Sequence, residues 1–126
     1  MIVLDSGAVS RLARQHQDSL ALIATLKRDG LWPPVVPSVV LTESTSGHQR
    51  SDANINRFLK TCEIAEQLPE HLARRAGTLR TLARRGSVVD AIVVALAEPG
   101  GAVLTSDIKD LQALATHAKN VHIYRA

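Results

Sequence analysis

The stretch IVLDSGAVSRLARQ, residues 2–15, runs from a short apolar segment through one acid into small and hydroxyl side chains, and then into helical spacing. Ile2 to Leu4 reads as a buried strand and SGAVSRLARQ as the helix after it, a β-then-α opening. The rest of the chain repeats the alternation. DSLALIATLKRDG, with Asp18 as candidate N-cap and Leu20, Ile23 and Leu26 at helical spacing, predicts a second helix stopped at Gly30. Pro33, Pro34 and Pro37 confine the next strand to Val35 and Val36; a helix then starts near Pro37 or Ser38, bears Glu43 and ends around Gly47. SDANINRFLKTC predicts a helix, EIAEQL an edge strand, PEHLARRAGTLRTLARRG an arginine-rich helix, and SVVDAIVVALA a helix stopped by Pro99, Gly100 and Gly101. AVLTSD, IKDLQALATHA and NVHIYR close the chain as strand, helix and strand. Alternation of this kind predicts an α/β fold, a central, mainly parallel β-sheet flanked by α-helices, whose ligands bind at the carboxyl ends of the strands.

Composition narrows the class. The 126 residues contain no repeat, linker or low-complexity segment, so one domain spanning residues 1–126 is expected. No apolar run approaches the roughly 20 residues that span a bilayer. MIVLDSG has no basic region and meets an acid at once, unlike a secretory signal, so a cytoplasmic location is expected. The single Cys62 excludes an internal disulfide and a multi-cysteine zinc site, and reads as a packed side chain. His16, His48, His71, His117 and His122 show no metal-ligand spacing, and Trp32 beside two prolines reads as a packing residue. Fifteen Lys and Arg against twelve Asp and Glu give a net charge of +3. Most of the excess is local: Arg74, Arg75, Arg80, Arg84 and Arg85 lie between His71 and Gly86 with no acid among them, a candidate contact for the backbone of a nucleic acid.

Four acids stand where a solvated face does not explain them. Asp5 ends the first strand, Asp107 ends AVLTSD, Glu43 follows PSVVLT, and Asp90 interrupts the apolar run SVVDAIVVALA. Strand-terminal acids of a parallel sheet fall on one edge, and adjacent strands make them neighbours. Each of them also suits the N-cap of the helix that follows. Three or four residues from Glu43 lie Val39, Val40, Ser46 and Gly47; around Asp90 lie Gly86, Ser87, Val93 and Val94. Neither acid has an intrahelical cation partner. Gathered carboxylates repel one another, and a divalent cation relieves that; oxygen-only ligands suit Mg²⁺ or Mn²⁺ rather than zinc.

Taken in order, IVLDSGAVS, PPVVPSVVLTES, VVDAIVVALA and AVLTSDIKDL resemble the PIN-domain ribonucleases over the whole chain, and most of all the toxin subunits of VapBC-type toxin–antitoxin pairs. The resemblance implies a PIN-like domain and a metal-dependent endoribonuclease. It implies that Asp5, Glu43, Asp90 and Asp107 form the catalytic quartet, with Asp5, Asp90 and Asp107 as metal ligands and Glu43 positioning a water or acting as base. Asp110, Ser6 and Thr105 are accessory candidates, with Ser106 a further hydroxyl beside them. The implied cofactor is Mg²⁺ or Mn²⁺, and the implied partners are RNA, a VapB-like antitoxin and a second copy of the chain, for which several apolar helices such as DSLALIATLKRD are candidate faces. Two departures are Leu111, where many relatives carry an aromatic, and the scarcity of aromatics throughout. A non-catalytic module whose acidic pocket captures a basic partner segment is the competing expectation; a phosphatase of the Asp-x-Asp kind is disfavoured because DSG lacks the second acid.

Overall fold

The computed structural model describes all of residues 1–126. Its elements follow in the order β1 (Ile2–Leu4), α1 (Ser6–Ala13), α2 (Gln17–Arg28), β2 (Val35–Pro37), α3 (Ser38–Ser44), α4 (Gln49–Leu59), β3 (Glu63–Ala65), α5 (Glu70–Ala83), α6 (Val88–Ala97), β4 (Ala102–Thr105), α7 (Ile108–Ala115) and β5 (His122–Arg125). The five strands form one sheet in the order β3-β2-β1-β4-β5. Every pairing is parallel.

Strand order fixes which helices share a face. Right-handed crossovers from β1 to β2 and from β2 to β3 run one way across the sheet, whereas those from β3 to β4 and from β4 to β5 run the other way. Helices α1 to α4 therefore cover one face and α5 to α7 the opposite one. The packing agrees: α1 meets α2, α3 and α4, while α5, α6 and α7 meet one another. The direction of winding reverses between β1 and β4, and such a reversal opens a crevice at the carboxyl ends of the two strands.

Covered on both faces, the central strands need no polar side, and β1 (Ile2, Val3, Leu4) is buried throughout. A core of 25 residues surrounds it, with Leu12, Leu79, Val93, Val94 and Leu114 among its fully buried members. The edge strands are more polar: Glu63 in β3 and His122, Tyr124 and Arg125 in β5 are exposed, which discourages pairing with another chain. Trp32 packs edge-on against Phe58 at 6.2 Å between ring centres, with the Lys27 ammonium 5.3 Å from its ring. Cys62 is half-buried, and burial pushes its thiol up to about 11, so it stays protonated and unreactive at neutral pH.

The departures from the sequence reading are at the ends of elements. Helix α2 begins two residues earlier than an Asp18 cap requires; His16 holds the cap position without a side-chain hydrogen bond, and Asp18 sits in the first turn, where it faces the positive end of the helix dipole. Helix α3 stops at Ser44 rather than near Gly47. Helix α4 starts at Gln49, ahead of SDANINRFL, because the buried Asp52 carboxylate reaches back to accept hydrogen bonds from the Ser46 and Gly47 N–H groups and the Ser46 hydroxyl, at 2.9–3.0 Å.

Gly101 marks where α6 is turned back into β4. A Cβ there would lie 2.5 Å from the Ala97 carbonyl oxygen and 3.2 Å from that of Met1, both backbone atoms that cannot step aside. Gly101→Ala is expected to destabilise the fold by about 1–3 kcal/mol, the range for forced overpacking. Urea unfolding measures this as a lower midpoint with an unchanged slope.

Candidate metal and nucleic-acid site

The crevice is built from the register of the two central strands. Leu4 lies opposite Leu104, so the residues that follow, Asp5 and Thr105, meet where the strands end. The Asp5 N–H continues the ladder onto the Leu104 carbonyl at 3.3 Å. Asp5 is buried and caps α1: its Oδ1 accepts from the Ala8 N–H at 2.8 Å, and its Oδ2 accepts from the Thr105 hydroxyl. The Thr105 hydroxyl in turn accepts from the Asp107 N–H at 2.9 Å. One buried hydroxyl thus joins both strand-terminal acids. The adjoining turns are equally close, since a Cβ on Gly7 would fall 2.0 Å from the Ser106 Oγ. Ser6, next to Gly7, opens helix α1.

Burial pushes the Asp5 carboxyl above its ordinary value; the Thr105 and Ala8 hydrogen bonds work against that, and the negative charges of Asp90 and Glu43 add to the rise. Glu43 of α3 and Asp90 of α6, distant in sequence, therefore lie close enough for their charges to act on Asp5 at the end of β1. No Lys or Arg forms an ion pair with any of Asp5, Glu43, Asp90 or Asp107.

Asp90 does not interrupt the interior of its helix. It stands at the third position of α6, half-buried, in a capping box: its N–H donates to the Ser87 hydroxyl, and its Oδ2 accepts from the Ser87 N–H, both at 3.0 Å. The pattern Ser87-x-x-Asp90 ahead of an apolar run carries that signal in the sequence. Its Oδ1 has no protein partner, and neither do the carboxylates of the exposed Glu43 and Asp107. Asp107 occupies the N-cap position of α7 without making the side-chain bond. Asp110 pairs with Arg85 at 2.6 Å.

No three His, Cys, Asp or Glu side chains converge as a preformed metal cage. The donor chemistry nevertheless fits a hard divalent ion: every candidate ligand is a carboxylate, Glu43 and Asp90 both repel Asp5, and five of the oxygens are free of protein partners. Magnesium keeps several waters when bound, so an ion held partly through water suits this spacing.

The arginine segment divides. Arg74 pairs with Glu70 along the exposed side of α5. Arg75 is committed to the fold: it makes a two-pronged pair with the nearly buried Glu98, both bonds 2.8 Å, and also reaches the His117 carbonyl. Asp52 and Glu98 are thus buried acids that the sequence reading leaves among the solvated ones, and both are satisfied structurally. On α2, Leu20 is the only large apolar residue that is exposed; Leu68, Leu82 and Val88 expose more apolar surface around α5 and α6.

Asp5 makes the cost of this site measurable. The folded chain holds its proton more tightly than the unfolded chain, so stability falls as pH rises from 3.8, the ordinary value, through the raised one, and the penalty is absent at lower pH. Asp5→Asn keeps an acceptor for Ala8 and a donor for Thr105 without the charge. Urea unfolding in EDTA from pH 3.5 to 8 is expected to show the variant more stable than the native chain at neutral pH and flatter across the acid range; equal curves would show that the buried charge costs nothing.

No family model matches the chain, and no curated protein matches it. Solved structures do. VapBC2 from Rickettsia felis, bound to a DNA fragment from its promoter, superposes with a TM-score of 0.71 over 100% of this chain and 99% of that one, at 16% identity. PAE2754 from Pyrobaculum aerophilum gives 0.65 over 97% and 89%, at 13% identity. Identity this low speaks to the fold alone: an α/β, PIN-like domain with a five-stranded parallel sheet between two helical layers.

Proposed function

We propose that this chain is a Mg²⁺- or Mn²⁺-dependent endoribonuclease and the toxin of a type II toxin–antitoxin pair. The observation that carries the reading is the gathering of Glu43 and Asp90 around Asp5 at the crevice between β1 and β4, none of the three in an ion pair. Asp107 joins them through Thr105. The likeness to VapBC2 supports the fold-level part of the proposal and an antitoxin partner of the VapB kind.

In this reading Asp5, Asp90 and Asp107 would hold the ion, which when bound would activate a water and stabilise charge on the phosphoryl oxygens. Glu43, exposed on α3, orients the attacking water or takes its proton. Thr105 keeps Asp5 fixed and ionisable by donating to it, and Ser6 and Asp110 lie at the starts of the two helices that frame the crevice. No helix is long and apolar enough to cross a membrane. A second copy of the chain is a further expected partner, and the exposed apolar side chains around α5 and α6 suit it better than α2 does. The lack of a preformed three-acid cage favours one other reading, an acidic edge that captures a basic segment without catalysis.

Purified protein given a labelled mixed RNA pool with Mg²⁺ or Mn²⁺ is expected to cut it, and EDTA to stop the cutting. Asp90→Asn preserves an oxygen for the Ser87 N–H, so it is expected to change stability by less than about 1 kcal/mol. Cleavage should fall more than about 100-fold, beyond the usual effect of losing an outer partner of a metal ligand. Cutting that survives EDTA or the substitution would refute the assignment; binding of a basic peptide with no cutting would select the second reading.

A further inference from the structure

We propose that Arg80 and Arg84 seat a backbone phosphate of single-stranded RNA beside the acidic crevice, an inference that rests on RNA being the substrate. Beyond the end of α5 is a hollow of about 350 Å³ lined only by Arg80, Thr81, Arg84, Arg85 and Gly86. Its wall contains no carboxylate and no apolar side chain. Arg80, Thr81 and Arg84 are spaced to lie on one face of the helix, and Arg84 leaves it in the left-handed conformation, φ 53°, bonding its N–H to the Arg80 carbonyl. Gly86 follows at φ 91°. The chain thereby turns around the hollow and directs its side chains toward it.

The charges here are not satisfied within the protein. Arg85 has Asp110, but Arg80 and Arg84 are exposed and make no ion pair or side-chain hydrogen bond. A helix C-terminus favours a nearby cation by about 0.3–1 kcal/mol, which accounts for one of the two unpaired arginines and not for both side by side. An anion with several acceptor oxygens relieves their repulsion, and guanidinium groups match the geometry of phosphate. The position supplies the link to the crevice: a Cβ on Gly86 would lie 3.7 Å from the Asp90 Cβ, so the floor of the hollow adjoins the acidic edge. A strand whose phosphate rests on Arg80 and Arg84 passes directly to Asp90. Arg74 and Arg75, already paired on other surfaces, take no part.

The test is binding of a fluorescein-labelled single-stranded RNA 12-mer to the full chain in EDTA, at several salt concentrations. Loss of one neutralised phosphate lowers the slope of log affinity against log salt by about 0.7 on a single strand, so the double variant Arg80→Gln, Arg84→Gln should show a slope shallower by about 0.7. Arg74→Gln should leave it unchanged, and circular dichroism should show both variants folded. An unchanged slope in the double variant, no RNA binding by the native chain, or displacement by polyglutamate as effective as by unlabelled RNA would each overturn the proposal. The two readings fail separately: a chain that binds through these arginines yet cuts nothing with Mg²⁺ loses the nuclease assignment and keeps the phosphate seat, whereas cutting with an unchanged slope does the reverse.

Discussion

The hydrogen bond from the Thr105 hydroxyl to the buried Asp5 carboxylate is the contact on which the arrangement of the crevice depends. It joins residues separated by 100 positions, and only the alignment of Leu4 with Leu104 brings them together. Without it, Asp5 is a buried acid with a single donor, and burial, which raises its carboxyl even with both donors present, is opposed by one N–H alone. With it, the same hydroxyl also fixes the Asp107 backbone, so one small side chain sets the spacing of two acids. The β1–β4 register is in this sense part of the chemistry as well as of the fold.

Helix capping and the site use the same side chains. Asp5 caps α1, Asp90 closes the capping box of α6, and Asp107 stands at the cap position of α7. A carboxylate that must accept from a backbone N–H at a helix start has little freedom of rotation, so the caps hold the acids in place while leaving Asp90 Oδ1 and the Asp107 carboxylate free. The positive ends of three helix dipoles also offset part of the repulsion among the acids. That is how a protein with no ion pair at this edge tolerates the charge there.

Much of this was legible in the sequence because the signals are local. Apolar runs bounded by Gly and Pro gave the strands and the order of the helices, and alternation gave a parallel sheet; all five strands and all seven helices stand where they were expected, apart from shifts at the ends. The placement of Asp5 and Asp107 at one edge followed from the same pattern. What could not be read was long-range satisfaction. Glu98 and Asp52 look like surface acids until Arg75 and the Ser46–Gly47 turn are folded against them. Arg75 looks like a substrate contact for the same reason. Asp90 is the opposite case: the apolar run after it makes it look like an acid inside a helix, whereas Ser87-x-x-Asp90 is a local cap signal that puts it at the helix start.

Chain order adds a constraint on synthesis. Of the five strands the central β1 is made first, yet one of its two sheet neighbours, β4, is made fourth. A nascent chain that has not reached residue 102 has a half-built sheet with an open edge along β1, and an Asp5 still waiting for its hydroxyl. Long-range pairing of this kind is slow and delays completion of the core until nearly the whole chain is available. The acidic edge is therefore assembled last, and incomplete chains do not carry it.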